Sequence, residues 1–408
     1  MKNKKLKPEL LAPAGNLDIL KMAFLYGADA VYCGTPDFAM RSRVGFSLDS
    51  LKEGIEYAHS LNKKVFVTLN AFPHALEIGK AKKHIKKIIA LNPDALIVAD
   101  PGIISFVRSI SEIPIHLSTQ ANTTNALSAE FWRKLGVDRV VLARELNLLE
   151  INEIRDHSEA NLEVFIHGAM CMAYSGRCQI SNYLTGRDPN RGQCIQACRF
   201  KYKLYGLEED LRKDEFFPIL EDEEGTHILN SKDLCMIDHL DDLVKTGVMS
   251  LKIEGRLKSE YYVATVVKAY REALDLLFDD PSGYQKVKQR LFSEVSKSAN
   301  RGFTTGFYYD KPNQDTNNYA SSKALSEWGY IGRVTNYEKT AKILTFECKN
   351  YLRAGADLEI ITPSKIYRTK LEKMLRNGEE IDIAHAGNMI DIKFGQDVPK
   401  DALIRVKL

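Results

Sequence analysis

Short runs of almost uninterrupted apolar residues recur along the first part of the chain, and an amphipathic stretch follows each run. Eight such runs lie at residues 9–14, 30–34, 64–70, 95–100, 114–122, 139–146, 162–170 and 250–256. Strands that are apolar at nearly every position are typical of a parallel sheet buried on both faces. The stretches between the runs predict helices, for example LDILKMAFLYG with Asn16 as its N-cap.

The number of these units decides between two parallel architectures. Eight strand–helix units within about 270 residues fit a closed (β/α)₈ barrel better than an open doubly wound sheet. An open sheet that binds dinucleotides carries a G-x-G-x-x-G turn after its first strand, whereas the first run here is followed by APAGN. We therefore predict an α/β fold whose first domain is a TIM-like (β/α)₈ barrel.

The alternation of strands and helices breaks between the seventh and eighth runs. Residues 201–230 contain the segments YKLYGL and FFPILED around a charged middle, and Glu224-Gly225 favours a turn. These features predict a β excursion from the barrel. The acidic residues within it are most simply explained as a solvated loop.

From Tyr330 onwards apolar residues alternate with polar ones. Six stretches of this kind are typical of a small antiparallel β-barrel: YIGRVTNY, KILTFEC, ADLEIITP, EIDIAHAG, MIDIKFG and ALIRVKL. We predict a barrel domain at 1–278 that includes a cysteine-rich loop and β excursion (171–235), a helical and irregular connector at 279–328, and a β-barrel domain at 329–408. The last domain could contact a large anionic partner, or it could only stabilise or dimerise the chain.

The charge balance adds little to this picture. A net charge of +3 and a pI near 8.3 permit contact with nucleic acid but do not argue for it. The charged N-terminus has no apolar run before Pro8 and Pro13, so we expect neither a signal peptide nor a membrane-spanning segment. We expect a cytoplasmic protein with reduced thiols.

Polar residues stand at the ends of the predicted barrel strands, where the catalytic groups of such barrels lie. They are Asn70, Asp100, Gln120, Asn122, Arg144, Glu145, His167, Glu254 and Arg256. Core packing does not explain their repetition, although any single one could be a helix cap or an ion pair. Arg144 and Arg256 suit a carboxylate or a phosphate. His167 suits an acid, a base or a second donor beside the cysteines.

Four of the seven cysteines lie within residues 161–199, and Cys235 follows as a fifth. The four are Cys171, Cys178, Cys194 and Cys198. In a reducing compartment such a group is more typical of a metal site than of disulfides. Zinc sites use paired C-x₂₋₄-C knuckles, which only Cys194 and Cys198 approach. The wide spacing favours an iron–sulfur cluster, while zinc and buried or redox-active thiols stay open.

Common hydrolase signatures are absent, since the chain contains no H-E-x-x-H, no G-x-S-x-G and no G-x-x-x-x-G-K-[ST]. Residues 163–181, EVFIHGAMCMAYSGRCQIS, instead resemble the signature of the collagenase-like peptidases of unassigned catalytic type, family thirty-two. ELLAPAGN, GADAVYCG and IEGRLKSEYYVA also resemble the barrel of this family. The C-terminal stretch is similar to the family's C-terminal β domain.

The resemblance implies an activity that the family name does not state. Better understood members are oxygen-independent hydroxylases of ubiquinone precursors, of ribosomal RNA or of the wobble uridine of tRNA. The last group forms 5-hydroxyuridine in a prephenate-dependent way, and it resembles this chain most in length and domain content. The resemblance therefore implies a tRNA-modifying enzyme with tRNA as partner and prephenate as co-substrate.

The resemblance also implies a 4Fe–4S cluster held by four cysteines. Carried over by position, the ligands are Cys171, Cys178, Cys194 and Cys235, with Cys198 as an ambiguous fifth. Electron-carrier or sulfur-carrier proteins would then be further partners. The catalytic candidates are His167, Arg144, Glu254 and Arg256, and the candidates for substrate binding are Asn70, Asp100, Gln120, Asn122 and Glu145.

Other functions stay open at this point. The family name implies a peptidase, for example one that acts on collagen-like substrates, although the missing protease motifs count against it. Hydroxylation of another RNA or of an aromatic substrate is a second alternative. A non-catalytic RNA-binding or assembly protein, in which the cluster only staples the loop, is a third.

Overall fold

The structure is a computed structural model that describes residues 6–38, 45–171, 178, 180–185, 187, 194–199, 221–222, 225–226, 231–310 and 326–408. Most of the predicted β excursion lies outside these residues, including all of YKLYGL. Within it, Glu221–Asp222 pairs antiparallel with Gly225–Thr226 across the predicted turn.

Twelve strands lie in the described part of the first 310 residues. They are β1 (Glu9–Pro13), β2 (Ala30–Gly34), β3 (Lys64–Leu69), β4 (Ala95–Val98), β5 (Ile115–Leu117), β6 (Arg139–Val141), β7 (Asn161–Ala169), β8 (Glu221–Asp222), β9 (Gly225–Thr226), β10 (Asp233–Cys235), β11 (Ser250–Ile253) and β12 (Phe303–Thr304). The strands β1 to β7 pair in sequence order as parallel neighbours, and β11 pairs in parallel with both β1 and β7. The ring is thus closed, and the predicted (β/α)₈ barrel is confirmed.

The end of β7 has a second neighbour that the sequence did not reveal. β10 pairs antiparallel with β7, so that Cys235 lies opposite His167, and β12 pairs in parallel with β10. The register between β7 and β11 shifts after Lys252, but Ile253 of β11 still pairs with His167. β10 therefore lies along the other edge of β7, where the pairing with β6 ends at Glu163. Strands of two or three residues are too short to show a period, so no pattern predicted them.

Ten α-helices lie in the described residues, and those predicted after the barrel strands are all present. They are α1 (Leu17–Leu25), α2 (Leu48–Ser60), α3 (Ile78–Ile89), α4 (Pro101–Ile110), α5 (Ala126–Lys134), α6 (Leu148–His157), α7 (Ile180–Thr185), α8 (Leu240–Lys245), α9 (Glu260–Asp279) and α10 (Pro281–Ser296). Side-chain caps begin several of them: Asn16 accepts a hydrogen bond from Ile19, and Asn147 forms a capping box with Glu150. No helix in this part of the chain is long and apolar enough to cross a membrane.

The interior of the barrel is only partly apolar. Leu11, Ala30, Tyr32, Phe66, Ala95 and Ile97 form one buried cluster there. Beside this cluster, the fully buried Glu163 accepts hydrogen bonds from Lys252 at 2.8 Å and from Arg139 at 3.0 Å. Burial alone would raise the pKa of Glu163, but the two cations outweigh it and lower the pKa to about 2.

The last part of the chain forms an antiparallel sheet with its own core. Its strands are β13 (Trp328–Glu338), β14 (Ile343–Cys348), β15 (Leu352–Arg353), β16 (Asp357–Ile361), β17 (Ile366–Lys370), β18 (Met374–Arg376), β19 (Glu379–Ile381), β20 (Ile383–Ala384), β21 (Met389–Lys393) and β22 (Leu403–Lys407). Eight of them pair in the order β17-β16-β22-β13-β14-β21-β18-β19, and β15 pairs with β20. The antiparallel architecture was predicted, whereas EIDIAHAG is divided between two sheets because its strand breaks at Asp382.

This sheet packs on the helices that surround the barrel. The side chains of Ile361 and Leu403 belong to the core of the barrel domain. Arg405 is completely buried at the contact, where it forms ion pairs with Glu359 and with Glu294 of α10. Hydrophobic and ionic contacts therefore join the two parts, while the predicted domain boundaries at residues 278 and 329 stay predictions.

The buried carboxylate of Glu163 generates a stability prediction. Glu163→Gln should lower the free energy of unfolding at pH 7 by about 3–5 kcal/mol, because the buried Lys252 loses its counter-charge. The half-buried Arg139 loses one carboxylate partner and keeps the other, Glu9. A matched change on an exposed residue of α6, Glu153→Gln, should cost no more than about 0.5 kcal/mol. Urea unfolding followed by circular dichroism measures both.

The pH dependence has a definite sign. Because folding lowers the pKa of Glu163, its contribution is present above the unfolded value of 4.5 and is lost as the pH falls towards 2. The difference between wild type and Glu163→Gln should therefore shrink over this window. A difference that is small at pH 7, or independent of pH, would contradict the assignment.

Candidate functional site

Arg144 connects several groups at the carboxyl end of the barrel strands. It follows β6, and its guanidinium carbon lies 4.0 Å from the centre of the Phe165 ring of β7. Its Nη2 lies 3.8 Å from Glu254 Oε2, just after β11, and its Nη1 lies 3.7 Å from Cys171 Sγ, just after β7. One side chain thus touches an aromatic ring, a carboxylate and the first thiol of the cysteine-rich loop.

A second cation, Arg256, follows Glu254 by two residues at the end of β11. Arg256 is buried, and its Nη1 donates to Thr68 Oγ1 of β3 at 2.7 Å. The Tyr32 hydroxyl of β2 donates to the Ile253 carbonyl at 3.0 Å and lies 3.2 Å from Glu254 Oε2. Burial and Glu254 raise the pKa of Tyr32 well above its usual value, against the opposing effect of Arg256 and Arg144. The phenol therefore stays neutral and acts as a donor.

Backbone geometry brings these strand ends together. Gly168 of β7 has a φ of +104°, and a Cβ atom there would lie 2.5 Å from the Glu254 carbonyl oxygen. The Glu254 amide also donates to the His167 carbonyl at 2.8 Å. Only glycine permits this approach, so the position of Glu254 relative to the loop after β7 depends on it.

Three of the four predicted catalytic residues are therefore brought together, but the side chain of His167 is not. It is buried among Tyr262, Tyr270 and Phe303, on the α9 side of β7, and its Nδ1 lies 3.3 Å from the Tyr270 hydroxyl. Burial, with a smaller effect of Lys258, lowers the pKa of His167 to about 3. The imidazole is a neutral core group, so the predicted role as acid or base at the mouth does not fit its place.

A chain of polar side chains lies at the ends of β3 and β5. Asn70 Nδ2 donates to Ser118 Oγ at 3.1 Å, and Ser118 Oγ donates to Gln120 Oε1 at 3.1 Å. Gln120 is only 7% exposed, yet its Nε2 has no hydrogen-bond partner in the part of the chain that the structure describes. A buried amide donor without an acceptor is costly, so its retention suits a ligand with a carbonyl group.

The other predicted binding residues have more ordinary places. Asp100 accepts from the Ile103 amide at 2.9 Å and caps α4. Asn122 ends the turn after β5 in a left-handed conformation, with φ of +52°. Glu145 is half-buried directly after Arg144. The capping of α4 accounts for the position of Asp100.

Three loop cysteines share one neighbourhood. Burial raises the pKa of Cys178, and the nearby thiols of Cys194 and Cys171 raise it further. Cys194 Sγ accepts a hydrogen bond from the Gln196 amide at 3.4 Å. Cys171 is exposed, and Cys178, Cys194 and Cys198 are half-buried. Soft thiolates gathered in this way suit an iron–sulfur cluster or zinc.

Cys235 does not complete this set in the structure. Its Sγ lies 3.8 Å from the Tyr270 hydroxyl in the core, and burial raises its pKa to about 12. Within the described residues no group of three or more His, Cys, Asp or Glu side chains is arranged to hold a metal ion. The three loop thiols thus fit a metal cluster by chemistry and neighbourhood, whereas the fourth predicted ligand faces another way.

Comparison with known proteins gives the chain its family. The sequence model of Peptidase family U32 matches residues 15–318, and that of the Peptidase family U32 C-terminal domain matches residues 326–405. The chain belongs to peptidase family U32. The resemblance drawn from EVFIHGAMCMAYSGRCQIS is therefore confirmed.

Individual relatives carry names that differ from that of the family. The chain is 39% identical over 419 residues to "tRNA hydroxylation protein P" of Escherichia coli K12. The alignment covers 93% of this chain and 91% of the relative. It is 41% identical over 272 residues to the "23S rRNA 5-hydroxycytidine C2501 synthase" of the same organism, which covers 67% of this chain and 40% of the relative.

A solved structure of a U32 peptidase is also similar. It is 13% identical, covers 62% of this chain and 96% of its own, and has a TM-score of 0.42. This likeness is too distant to carry a functional argument.

Three residues of the site were not predicted from the sequence: Tyr32, Thr68 and Phe165. Thr68 carried a signal, since it is a hydroxyl within the otherwise apolar run KVFVTL. Tyr32 and Phe165 carried none, because an aromatic residue inside an apolar strand looks like core. Only closure of the barrel shows that they meet the charged groups.

Proposed function

We propose that the protein is an RNA-modifying enzyme that hydroxylates C5 of the wobble uridine of tRNA in a prephenate-dependent way. Its similarity over 93% of the chain to a tRNA hydroxylation protein supports RNA hydroxylation, and so does its similarity to an rRNA 5-hydroxycytidine synthase. The single structural observation that carries the proposal is the meeting of Arg144, Glu254 and Arg256 at the open end of the barrel. We assign the reaction to the cytoplasm, where thiols stay reduced.

In the group formed by Arg144, Glu254 and Arg256, two guanidinium groups accompany one carboxylate. Prephenate carries two carboxylates, and guanidinium groups bind carboxylates in a planar, two-point geometry. Arg144 is oriented by the Phe165 ring and Arg256 by Thr68, so both side chains lose little freedom when an anion binds. We assign the co-substrate to these two residues, with Glu254 and Tyr32 bounding the site.

The hydrogen-bonded side chains of Asn70, Ser118 and Gln120 are suited to binding the base. An enzyme that modifies a base must bring it out of the stack and bind its edge with hydrogen bonds. The amide protons of Gln120 suit a uracil carbonyl, and Ser118 holds the carboxamide in that orientation. Asn122 and Glu145 flank this region as further candidates for substrate contact, while Asp100 orders α4.

We further propose that Cys171, Cys178 and Cys194 hold a 4Fe–4S cluster together with Cys235, with Cys198 as the alternative fourth ligand. When bound, the cluster would supply electron-transfer chemistry beside Arg144. To bind iron, the thiol of Cys235 would have to leave its contact with the Tyr270 hydroxyl. Cys235 lies on β10, which pairs with the end of β7, the strand that precedes the cysteine-rich loop. Electron-carrier or sulfur-carrier proteins are then partners of the loop.

The peptidase alternative has less support in the described residues. Proteolysis by a cysteine would need a base beside the thiol. The imidazole of His167 is turned into the core, and the side chain next to Cys171 is a guanidinium, which donates rather than accepts protons. Gelatin cleavage by the purified protein, abolished by a change at Cys171, would nevertheless favour this function.

Nucleoside analysis tests the proposed reaction. A strain that lacks this gene should lose 5-hydroxyuridine and its derivatives from its tRNA, as measured by mass spectrometry. Wild type should restore them, Arg144→Ala should not, and Arg144→Lys should restore only a fraction because it keeps the charge but loses the planar contact. Arg155→Ala, on the exposed face of α6, serves as control.

Three outcomes would redirect the proposal. Unchanged 5-hydroxyuridine in the deletion strain would refute it. Loss of an rRNA 5-hydroxycytidine instead would favour another RNA substrate. Intact tRNA binding with no nucleoside lost would favour a non-catalytic binding protein. A strain unable to make prephenate should lose the nucleoside even when the protein is present.

The carboxamide of Gln120 gives a sharper test of base recognition. Gln120→Met keeps the length of the side chain and removes its donors, so kcat/KM for tRNA should fall about 10- to 100-fold. Stability should change by about 1 kcal/mol or less, since a donor without a partner is also removed. Steady-state kinetics and thermal unfolding, with Gln289→Met on α10 as control, separate the two effects. Full activity of Gln120→Met would remove this residue from the site.

Anaerobic purification tests the cluster. The protein should be brown and contain about four iron and four sulfide per chain. Ala variants of Cys171, Cys178 and Cys194 should each lose the colour, whereas Cys348→Ala, in the C-terminal core, should retain it. Comparison of Cys235→Ala with Cys198→Ala identifies the fourth ligand. A colourless protein with one bound zinc would contradict the assignment.

A further inference from the structure

Helix α3 carries an unusual concentration of positive charge. Five of its twelve residues are lysines, Lys80, Lys82, Lys83, Lys86 and Lys87, and none is acidic. All five are exposed, whereas Ala81, Ile85 and Ile88 are buried against the barrel. We call these five residues the α3 lysine surface.

Little in the described residues neutralises this surface. Lys80 pairs with Asp37 at 3.0 Å, and Lys82 lies over the Phe106 ring at 5.0 Å. Lys83, Lys86 and Lys87 have no acidic partner in the described part of the chain. On α2, by contrast, Lys52 lies 3.8 Å from Glu56.

Such a surface costs stability rather than adding to it. Lysines three and four positions apart repel each other, by about 0.2–0.5 kcal/mol for each pair on a helix. A solvated helix face needs polar residues but does not need charges of one sign. The repeated choice of lysine is therefore better explained by a polyanionic partner that removes the repulsion.

The surface starts where the proposed substrate enters. α3 follows β3, whose carboxyl end carries Asn70, so the helix begins at the mouth of the barrel. The connecting turn is exposed, and the side chain of Leu76 is fully accessible. From Lys80 to Lys87 the helix rises about 10 Å, since each residue adds about 1.5 Å. The positive charge thus extends from the mouth down one side of the barrel.

We propose that the α3 lysine surface binds the phosphodiester backbone of the RNA whose base enters the barrel. This inference rests on the proposed RNA hydroxylation and adds the surface that holds the rest of the RNA. Lysine ammonium groups are point charges that contact phosphates without reading sequence, which suits positioning. A membrane is a poor fit, because the apolar face of α3 is already buried and cannot enter lipid.

Salt-dependent binding tests the proposal. The full-length protein carrying K83Q, K86Q and K87Q is compared with wild type for binding of unmodified substrate tRNA, by fluorescence anisotropy over 50–200 mM salt. The three changes should weaken binding about 10- to 100-fold at the lowest salt. They should also lower the slope of log K against log salt by about 2–3, since each lost phosphate contact removes about 0.7–0.9.

A matched control carries the same loss of charge on other helices. K134Q, K286Q and K288Q, on α5 and α10, should leave affinity and slope unchanged. Equal weakening by both triple variants would show that only net charge matters, and an unchanged slope for the α3 variant would show that RNA does not lie there. Either result overturns the proposal. An unchanged slope is also the result expected if α3 binds an acidic protein instead of RNA.

The kinetic readout separates this surface from the reaction site. At saturating tRNA the α3 variant should reach the wild-type kcat and differ only in KM. A deletion strain that keeps all its 5-hydroxyuridine would refute the proposed reaction while a changed salt slope still supports RNA docking. Loss of the nucleoside in that strain, with an unchanged slope, would refute the docking surface alone.

Discussion

Closure of the barrel between β7 and β11 is the constraint on which the candidate site depends. It places residues 254 and 256, from far along the chain, between the strand that carries Tyr32 and the loop that carries Arg144. Gly168 makes the closure tight at the open end, since no side chain would fit beside the Glu254 carbonyl. Further inside, Lys252 of β11 holds the buried carboxylate of Glu163 of β7. The same pair of strands thus sets the interior charge balance and the arrangement of the mouth.

Aromatic rings organise the cations of this barrel. Phe165 lies beneath Arg144, and Lys252 lies 4.5 Å from the centre of the Tyr32 ring. A cation held over a ring keeps its charge while its apolar stem is covered, so its orientation is defined. The proposed binding of an anion at the mouth would then cost little side-chain entropy. Lys252 thus neutralises the buried Glu163 inside the barrel, whereas Arg144 lies at the mouth.

The names of individual relatives and the chemistry of the barrel mouth both favour RNA modification over proteolysis. A peptidase name accompanies a barrel mouth that contains two arginines, a neutral tyrosine and two amide side chains, whose chemistry suits anions and the edges of bases. The loop thiols lie next to this mouth through the contact of Arg144 with Cys171. The RNA would be bound outside the mouth by α3, so that recognition of the backbone and of the base occurs on separate elements.

The sequence by itself determined the barrel, its eight strands, the antiparallel C-terminal sheet and the family. Those features follow from local periodicity and from one long signature, which do not depend on distant contacts. It also named Arg144, Glu254 and Arg256, because strand ends can be recognised along the chain. The tertiary structure decided which strand ends meet, that the His167 side chain faces the core, and that Cys235 contacts Tyr270 instead of the loop thiols. Side-chain direction after the register shift of β7 depends on pairing with β10 and β11, and pairing between distant segments leaves no local pattern to read.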